Sequence, residues 1–171
     1  EPDRTIGVIG LGTGTIAAYG APGDRVRFYE INPEVQRLAE EYFTYLADSA
    51  AEVDVVLRDG RLAVAAEPAG SLDLLVVDAF SSDAIPVHLL TKEALAIYLD
   101  RLKPDGILAL HLTNRFRTLE PIALRLAADA GWPAYWVANS PDQLKGTGED
   151  RSRWVLVTRR EGVEDDPFVQ S

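Results

Sequence analysis

The chain reads as a doubly wound α/β domain on a mostly parallel sheet, and three observations predict it. Short β-branched runs alternate with amphipathic helical stretches along nearly all of its length, the pattern of right-handed βαβ units. The run Leu72–Val77 is dominated by Leu and Val, as in strands covered on both faces. The last two runs have no helical stretch between them, which predicts a C-terminal antiparallel hairpin at one sheet edge.

The elements follow in order. Thr5–Gly10 is a strand ending in glycine, followed by Leu11-Gly12-Thr13-Gly14 and a helix-capable stretch from Thr15 to Tyr19. Val26–Ile31 is a second strand, after which Asn32 suits a helix N-cap and Pro33 the first helical position. In that helix Val35, Leu38, Ala39 and Tyr42 recur at helical spacing and predict one apolar stripe against the sheet. Val53–Leu57 is a third strand and Arg61–Ala66 a helix; Leu72–Val77 is the fourth strand. Thr91 caps a helix whose Leu95, Tyr98, Leu99 and Leu102 share a face, with Pro104 and Gly106 as its stop. Ile107–Leu112, a helix over Leu119–Ala130 ended by Gly131, and the runs Ala134–Ala138 and Trp154–Thr158 complete the domain. Residues 1–160 are thus one domain and 161–171 a frayed tail.

Composition narrows the function. With 171 residues, 47% hydrophobic, the chain can bury one core and is too short for two ordinary domains. The 27 acidic residues outnumber 17 basic ones, and no basic cluster interleaves with aromatics, so nucleic acid is not an expected partner. No apolar run nears the roughly 20 residues of a membrane helix, so the domain itself is expected to make no membrane contact. There is no cysteine, and His88 and His111 stand apart, so no metal site is expected and both histidines read as structural or peripheral. Tyr19, Trp132, Trp136 and Trp154 read as packing rather than a substrate cage. Methionine is also absent, so a sequence opening at Glu1 reads as a processed or excised piece.

In an open α/β sheet ligands bind beyond the carboxyl ends of the strands, so those ends carry the chemistry. Gly10, Gly12 and Gly14 let the backbone turn tightly and approach a ligand, although an ordinary glycine turn would look the same. Dinucleotide sites want a further glycine where Thr15 stands, which disfavours a nicotinamide cofactor. Glu30, about 20 residues beyond the start of the glycine turn, suits the two hydroxyls of a ribose. Asp59 can accept from an adenine amine while Gly60 admits the flat base; a plain Asp-Gly turn is the competing reading. Asp78 ends the fourth strand facing the crevice, in place for catalysis or cation binding. Asp83 is a second candidate acid, in a loop where a turn-capping acid is commonplace.

Together Gly10–Gly14, Glu30-Ile31-Asn32, Asp59-Gly60 and the stretch Val76-Val77-Asp78-Ala79-Phe80-Ser81-Ser82-Asp83-Ala84-Ile85-Pro86-Val87-His88-Leu89-Leu90-Thr91 resemble the spermidine synthase family, the polyamine aminopropyltransferases. The likeness runs from Ile6 to Thr158. His111-Leu112-Thr113-Asn114-Arg115 brings it closest to the spermidine-synthase-like domains fused to bacterial transporter-like membrane segments. The resemblance implies a Rossmann-like class I S-adenosylmethionine-dependent methyltransferase fold, with S-adenosylmethionine or its decarboxylated form as co-substrate and no metal. It implies aminopropyl transfer to a small-molecule amine such as putrescine. Gly10, Gly12 and Gly14 would border the nucleoside, Glu30 would hold its ribose, Asp59 and Gly60 its adenine, and Asp78, with Asp83, would handle the amine. In the family a second acid and a proline follow three residues after the fourth-strand acid. Here that place holds Ser81 and the next acid is Asp83, which leaves the acceptor open. The family's small N-terminal β-domain has no match in this chain. A cytoplasmic position, tethered to the membrane in a longer chain, and a homodimer are compatible with the resemblance. Methyl transfer from S-adenosylmethionine, and non-catalytic nucleoside sensing for a membrane protein, are the competing readings.

Overall fold

The computed structural model describes residues 3–80, 86–114, 117–139, 152–165 and 169–170. In chain order the elements are β1 (Thr5–Ile9), β2 (Arg25–Glu30), α1 (Pro33–Tyr42), β3 (Glu52–Leu57), α2 (Gly60–Ala66), β4 (Leu72–Val77), α3 (Lys92–Arg101), β5 (Leu102–His111), α4 (Glu120–Asp129), β6 (Ala134–Ala138), β7 (Arg153–Thr158) and β8 (Val169–Gln170). They form one sheet in the order β3-β2-β1-β4-β5-β7-β6-β8. The first five strands in that order run parallel, and β7 inserts antiparallel between β5 and β6. This is the expected doubly wound, mostly parallel sheet with an antiparallel C-terminal hairpin. Strand order reverses between β1 and β4, which opens a crevice at their carboxyl ends.

Alternation along the strands divides the core. Ile9, Leu75, Val77, Leu108 and Leu110 face α2, α3 and α4, whose Val64, Leu95, Tyr98 and Ala127 pack on them. Ile6, Val8, Val26, Phe28 and Val76 face the other way, toward Ala39 of α1 and Ala17. Helix starts follow the capping residues: Asn32 accepts from the Glu34 N–H, Asp59 from Leu62 and Thr91 from Ala94.

Three local expectations are corrected. Thr15–Tyr19 forms only a 3-10 helix, entered through Gly14 in the left-handed region at φ 82°. In α1 only Ala39 is fully buried, while Leu38 and Tyr42 are 42% and 66% exposed; Val35, Leu46, Val53 and Val55 fill the ground beside Ala39 instead. Leu102 opens β5 rather than closing α3: it pairs with Leu72, whereas Leu74 pairs with Ile107, so a bulge spans the residues between. Pro104 lacks the N–H that a regular ladder needs there, and a Cβ on Gly106 would lie 2.9 Å from the Leu72 carbonyl oxygen. Beyond Glu161 the chain makes a 3-10 turn at Val163–Asp165, and Val169 pairs with Val137 of β6. Among the described residues no helix is long and apolar enough to cross a membrane.

Candidate functional site

A cavity of about 430 Å³ opens at the carboxyl ends of β1 to β4. Gly10, Gly12, Glu30, Asp59, Gly60 and Asp78 all line it, with Ile31, Val35, Pro86 and Leu89 as apolar walls. Six of the eight predicted site residues therefore meet at one place. Gly14 does not line it: a Cβ there would lie 2.8 Å from Leu46, so that glycine serves packing and the left-handed turn. Asp83 lies outside the described residues.

Backbone hydrogen bonds build the β1 and β2 side. Glu30, 8% exposed, accepts the Leu11 N–H on one oxygen at 3.0 Å and the Asn32 N–H on the other at 2.9 Å. Its carboxylate thus ties the glycine turn to β2, and each oxygen keeps a lone pair for a further donor. At Gly10, φ is +96° and a Cβ would lie 2.5 Å from the Asp78 carbonyl oxygen, so β1 and β4 close on each other only through glycine. A Cβ at Gly12 would meet nothing within 4 Å; the space beside that part of the turn is open.

Asp59 ends the loop after β3 and caps α2 through Oδ1. Its Oδ2 lies 3.0 Å from His88 Nε2, which reaches across the cavity from a 3-10 turn. Burial alone would raise the Asp59 carboxyl, but the Leu62 N–H and His88 outweigh it and hold it below its ordinary range. Gly60 also serves packing: its missing side chain points at Ile9, where a Cβ would lie 2.4 Å from Cγ2, so the glycine lets α2 pack on β1.

Asp78, about a third exposed, meets His111 at the end of β5, with Oδ1 2.6 Å from Nδ1. The other ring nitrogen lies 2.9 Å from Thr113 Oγ1, and the ring stacks on Trp154 with centroids 4.4 Å apart. Asn114 donates to the Phe80 carbonyl and so ties the segment after β5 to the one after β4.

Both histidines, read from sequence as structural or peripheral, touch candidate site acids. The strand-end argument applied to the acids would have found His111, because Val77 pairs with Leu110 and places Asp78 and His111 at adjacent strand ends. His88 gave no such signal, since its place depends on the path of the whole loop after β4. Trp154 stacks on a site residue rather than serving the hairpin alone, Trp132 packs on the core under Arg159, and Tyr19 is 80% exposed and outside the core.

Comparisons with known proteins bear on this geometry. No family model matches the chain. It is 31% identical to the polyamine aminopropyltransferase of Vibrio vulnificus over 123 residues, 69% of this chain and 39% of that protein. The spermidine synthase of Thermotoga maritima superimposes with a TM-score of 0.70 at 16% identity, over 91% of this chain and 54% of that one. Human methyltransferase-like protein 13 in complex with SAH gives 0.68 at 19% identity, over 96% and 74% of the two chains. The chain is similar in sequence to polyamine aminopropyltransferases, has the fold that spermidine synthase and a methyltransferase share, and spans about two fifths of the curated relative and half of the synthase.

Proposed function

We propose that this chain is the nucleoside-binding catalytic domain of a spermidine synthase-like transferase, moving an aminopropyl group from decarboxylated S-adenosylmethionine to a small-molecule amine. The observation that carries this reading is the meeting of Glu30, Asp59 and Asp78 in one cavity with apolar walls between them. The residues suit an adenosyl compound. Glu30 has lone pairs left for two ribose hydroxyls, Ile31, Val35, Pro86 and Leu89 offer apolar faces for a purine, and Asp59 is a further acceptor on the same lining for its amine. The similarity to polyamine aminopropyltransferases supports the aminopropyl group and the amine acceptor.

A sulfonium donor brings its own leaving group, so the protein has to align the amine and take its proton. Asp78 suits that task. It borders the cavity beside the glycine turn, and among the described residues its hydrogen-bond partner is His111 on Oδ1, which leaves Oδ2 for an amine N–H. Glu30 and Asp59 fix the nucleoside so that the acceptor nitrogen meets the donor carbon in line. The resemblance of His111-Leu112-Thr113-Asn114-Arg115 to spermidine-synthase-like domains fused to membrane segments supports a cytoplasmic position tethered to the membrane.

Calorimetric titration of the full-length protein with decarboxylated S-adenosylmethionine, S-adenosylmethionine and methylthioadenosine, paired with product analysis on putrescine, tests the reading. Preference for the decarboxylated donor with aminopropyl product is expected. Preference for S-adenosylmethionine with a methylated product would make the protein a methyltransferase; adenosyl binding with no product would make it a sensor; no binding would end the nucleoside reading.

A further inference from the structure

We infer that His111 and Thr113 are positioning residues that fix the catalytic oxygen of Asp78, an inference that rests on the transferase reading above. β4 and β5 run parallel with Val77 opposite Leu110, so the next residues, Asp78 and His111, leave the sheet side by side. Nδ1 of His111 lies 2.6 Å from Asp78 Oδ1, and Nε2 lies 2.9 Å from Thr113 Oγ1. A carboxylate only accepts, so Nδ1 carries the hydrogen. The Thr113 oxygen accepts the Arg153 N–H at 2.8 Å, and its O–H is placed to donate to Nε2 when the imidazole is neutral and carries its hydrogen on Nδ1. A neutral imidazole protonated on Nδ1 presents its lone pair there.

The result is one directed chain: Arg153 N–H to Thr113 Oγ1, Thr113 O–H to His111 Nε2, and His111 Nδ1–H to Asp78 Oδ1. Stacking on Trp154, with ring planes 13° apart, holds the imidazole in that orientation. The chain fills Oδ1 and leaves Oδ2, which takes no hydrogen bond from the described residues, for the acceptor amine. Asp78 borders the cavity and His111 does not, so the histidine stands behind the acid rather than competing for substrate. In the reaction the amine gives a proton to Oδ2 and its lone pair forms the new C–N bond. The electrons of the broken C–S bond leave with sulfur, and His111 keeps its proton throughout.

The full-length protein tests this through rescue. His111→Phe keeps the stack on Trp154 and removes both hydrogen bonds. It should lower kcat about 10²-fold, the scale of a spoiled general base, with affinity for methylthioadenosine within about threefold of wild type. His111→Asn returns an N–H near the Nδ1 position and should recover about tenfold of that loss, whereas His111→Gln, which reaches toward Nε2, should not. Thr113→Val should cost about tenfold in kcat and Thr113→Ser should restore it. Equal losses in His111→Phe and His111→Asn, or nucleoside affinity falling in step with kcat, would overturn the inference. Nitrogen NMR of the labelled imidazole gives a readout independent of turnover: the neutral, Nδ1-protonated tautomer is expected, and the Nε2-protonated form would overturn the directed chain. A wild-type protein that binds the nucleoside without transferring anything would defeat the transferase reading, and the tautomer would still decide the hydrogen-bond chain.

Discussion

The two ends of the same parallel strands use their acids in opposite ways. At the amino ends, Asp24 before β2 takes the Arg4 guanidinium together with the Arg4 and Ala21 N–H groups, and Asp73 in β4 takes Lys103 Nζ and the Thr5 N–H. At the carboxyl ends, Glu30 takes two backbone N–H groups, Asp59 one N–H and His88, and Asp78 takes His111. Among the described residues no Arg or Lys forms an ion pair with any of these three. An acid neutralised by a guanidinium or ammonium is committed to the fold; one held by backbone N–H groups and imidazoles is oriented and still able to accept from a ligand. Charge pairing, rather than the presence of an acid, separates structural from candidate functional carboxylates in this sheet.

Substitutions at the two ends sharpen the contrast. Asp78→Asn has the largest expected effect: kcat should fall about 10²- to 10⁴-fold, the range for loss of a general base, with nucleoside affinity nearly unchanged. A kcat within tenfold of wild type would remove Asp78 from proton transfer. Asp24→Asn should do the reverse, destabilising the fold by about 2–3 kcal/mol in chemical denaturation because it disrupts a buried, multiply bonded carboxylate, with no change in nucleoside affinity. That figure is kept low because Arg4 is partly exposed. Glu30→Gln should weaken nucleoside binding by about 1.5–3 kcal/mol, the worth of hydrogen bonds to a charged group, at a smaller cost in stability through the Leu11 and Asn32 N–H groups. Affinity unchanged in calorimetry would leave Glu30 a purely structural anchor.

Acid pH probes the amino ends more gently. Hydrogen bonds from Arg4, against the opposing effect of burial, hold the Asp24 carboxyl well below its ordinary 3.8. At Asp73 burial pushes upward and is outweighed by Lys103 and the Thr5 N–H, so this carboxyl is lowered too. A carboxyl lowered by folding stabilises the native state above its unfolded value, and that stability is lost as pH falls through the lowered one. Thermal melts should therefore steepen in their pH dependence below about pH 4, and less so in Asp24→Asn. Identical slopes in the two proteins would show that Asp24 titrates alike folded and unfolded. The smallest effect belongs to His88→Ala, a half-exposed partner of Asp59. It should change stability by under about 1 kcal/mol while altering nucleoside affinity, since the bond it removes lies at the cavity wall. A larger loss of stability would make the bond part of the fold.

The sequence by itself determined the alternation of strands and helices, the caps at Asn32 and Thr91, and which acids stand at strand ends. Each of these rests on spacing within a few residues, where the period of a helix or strand and the chemistry of a cap act locally. It also determined the glycine turn and the place of Glu30 at the end of the second strand, because both follow from a strand, its glycines and the next apolar run. Only the tertiary structure decided that Leu102 begins β5, that Leu46 rather than Leu38 or Tyr42 packs beside Ala39, and that Gly60 and Gly14 answer to Ile9 and Leu46. Tertiary structure also decided the partners of the site acids: His88 lies 29 residues from Asp59, His111 33 from Asp78, and Arg153 40 from Thr113. Contacts at such separations are set by strand order and register, which follow from packing the whole sheet and leave no periodic trace in the chain.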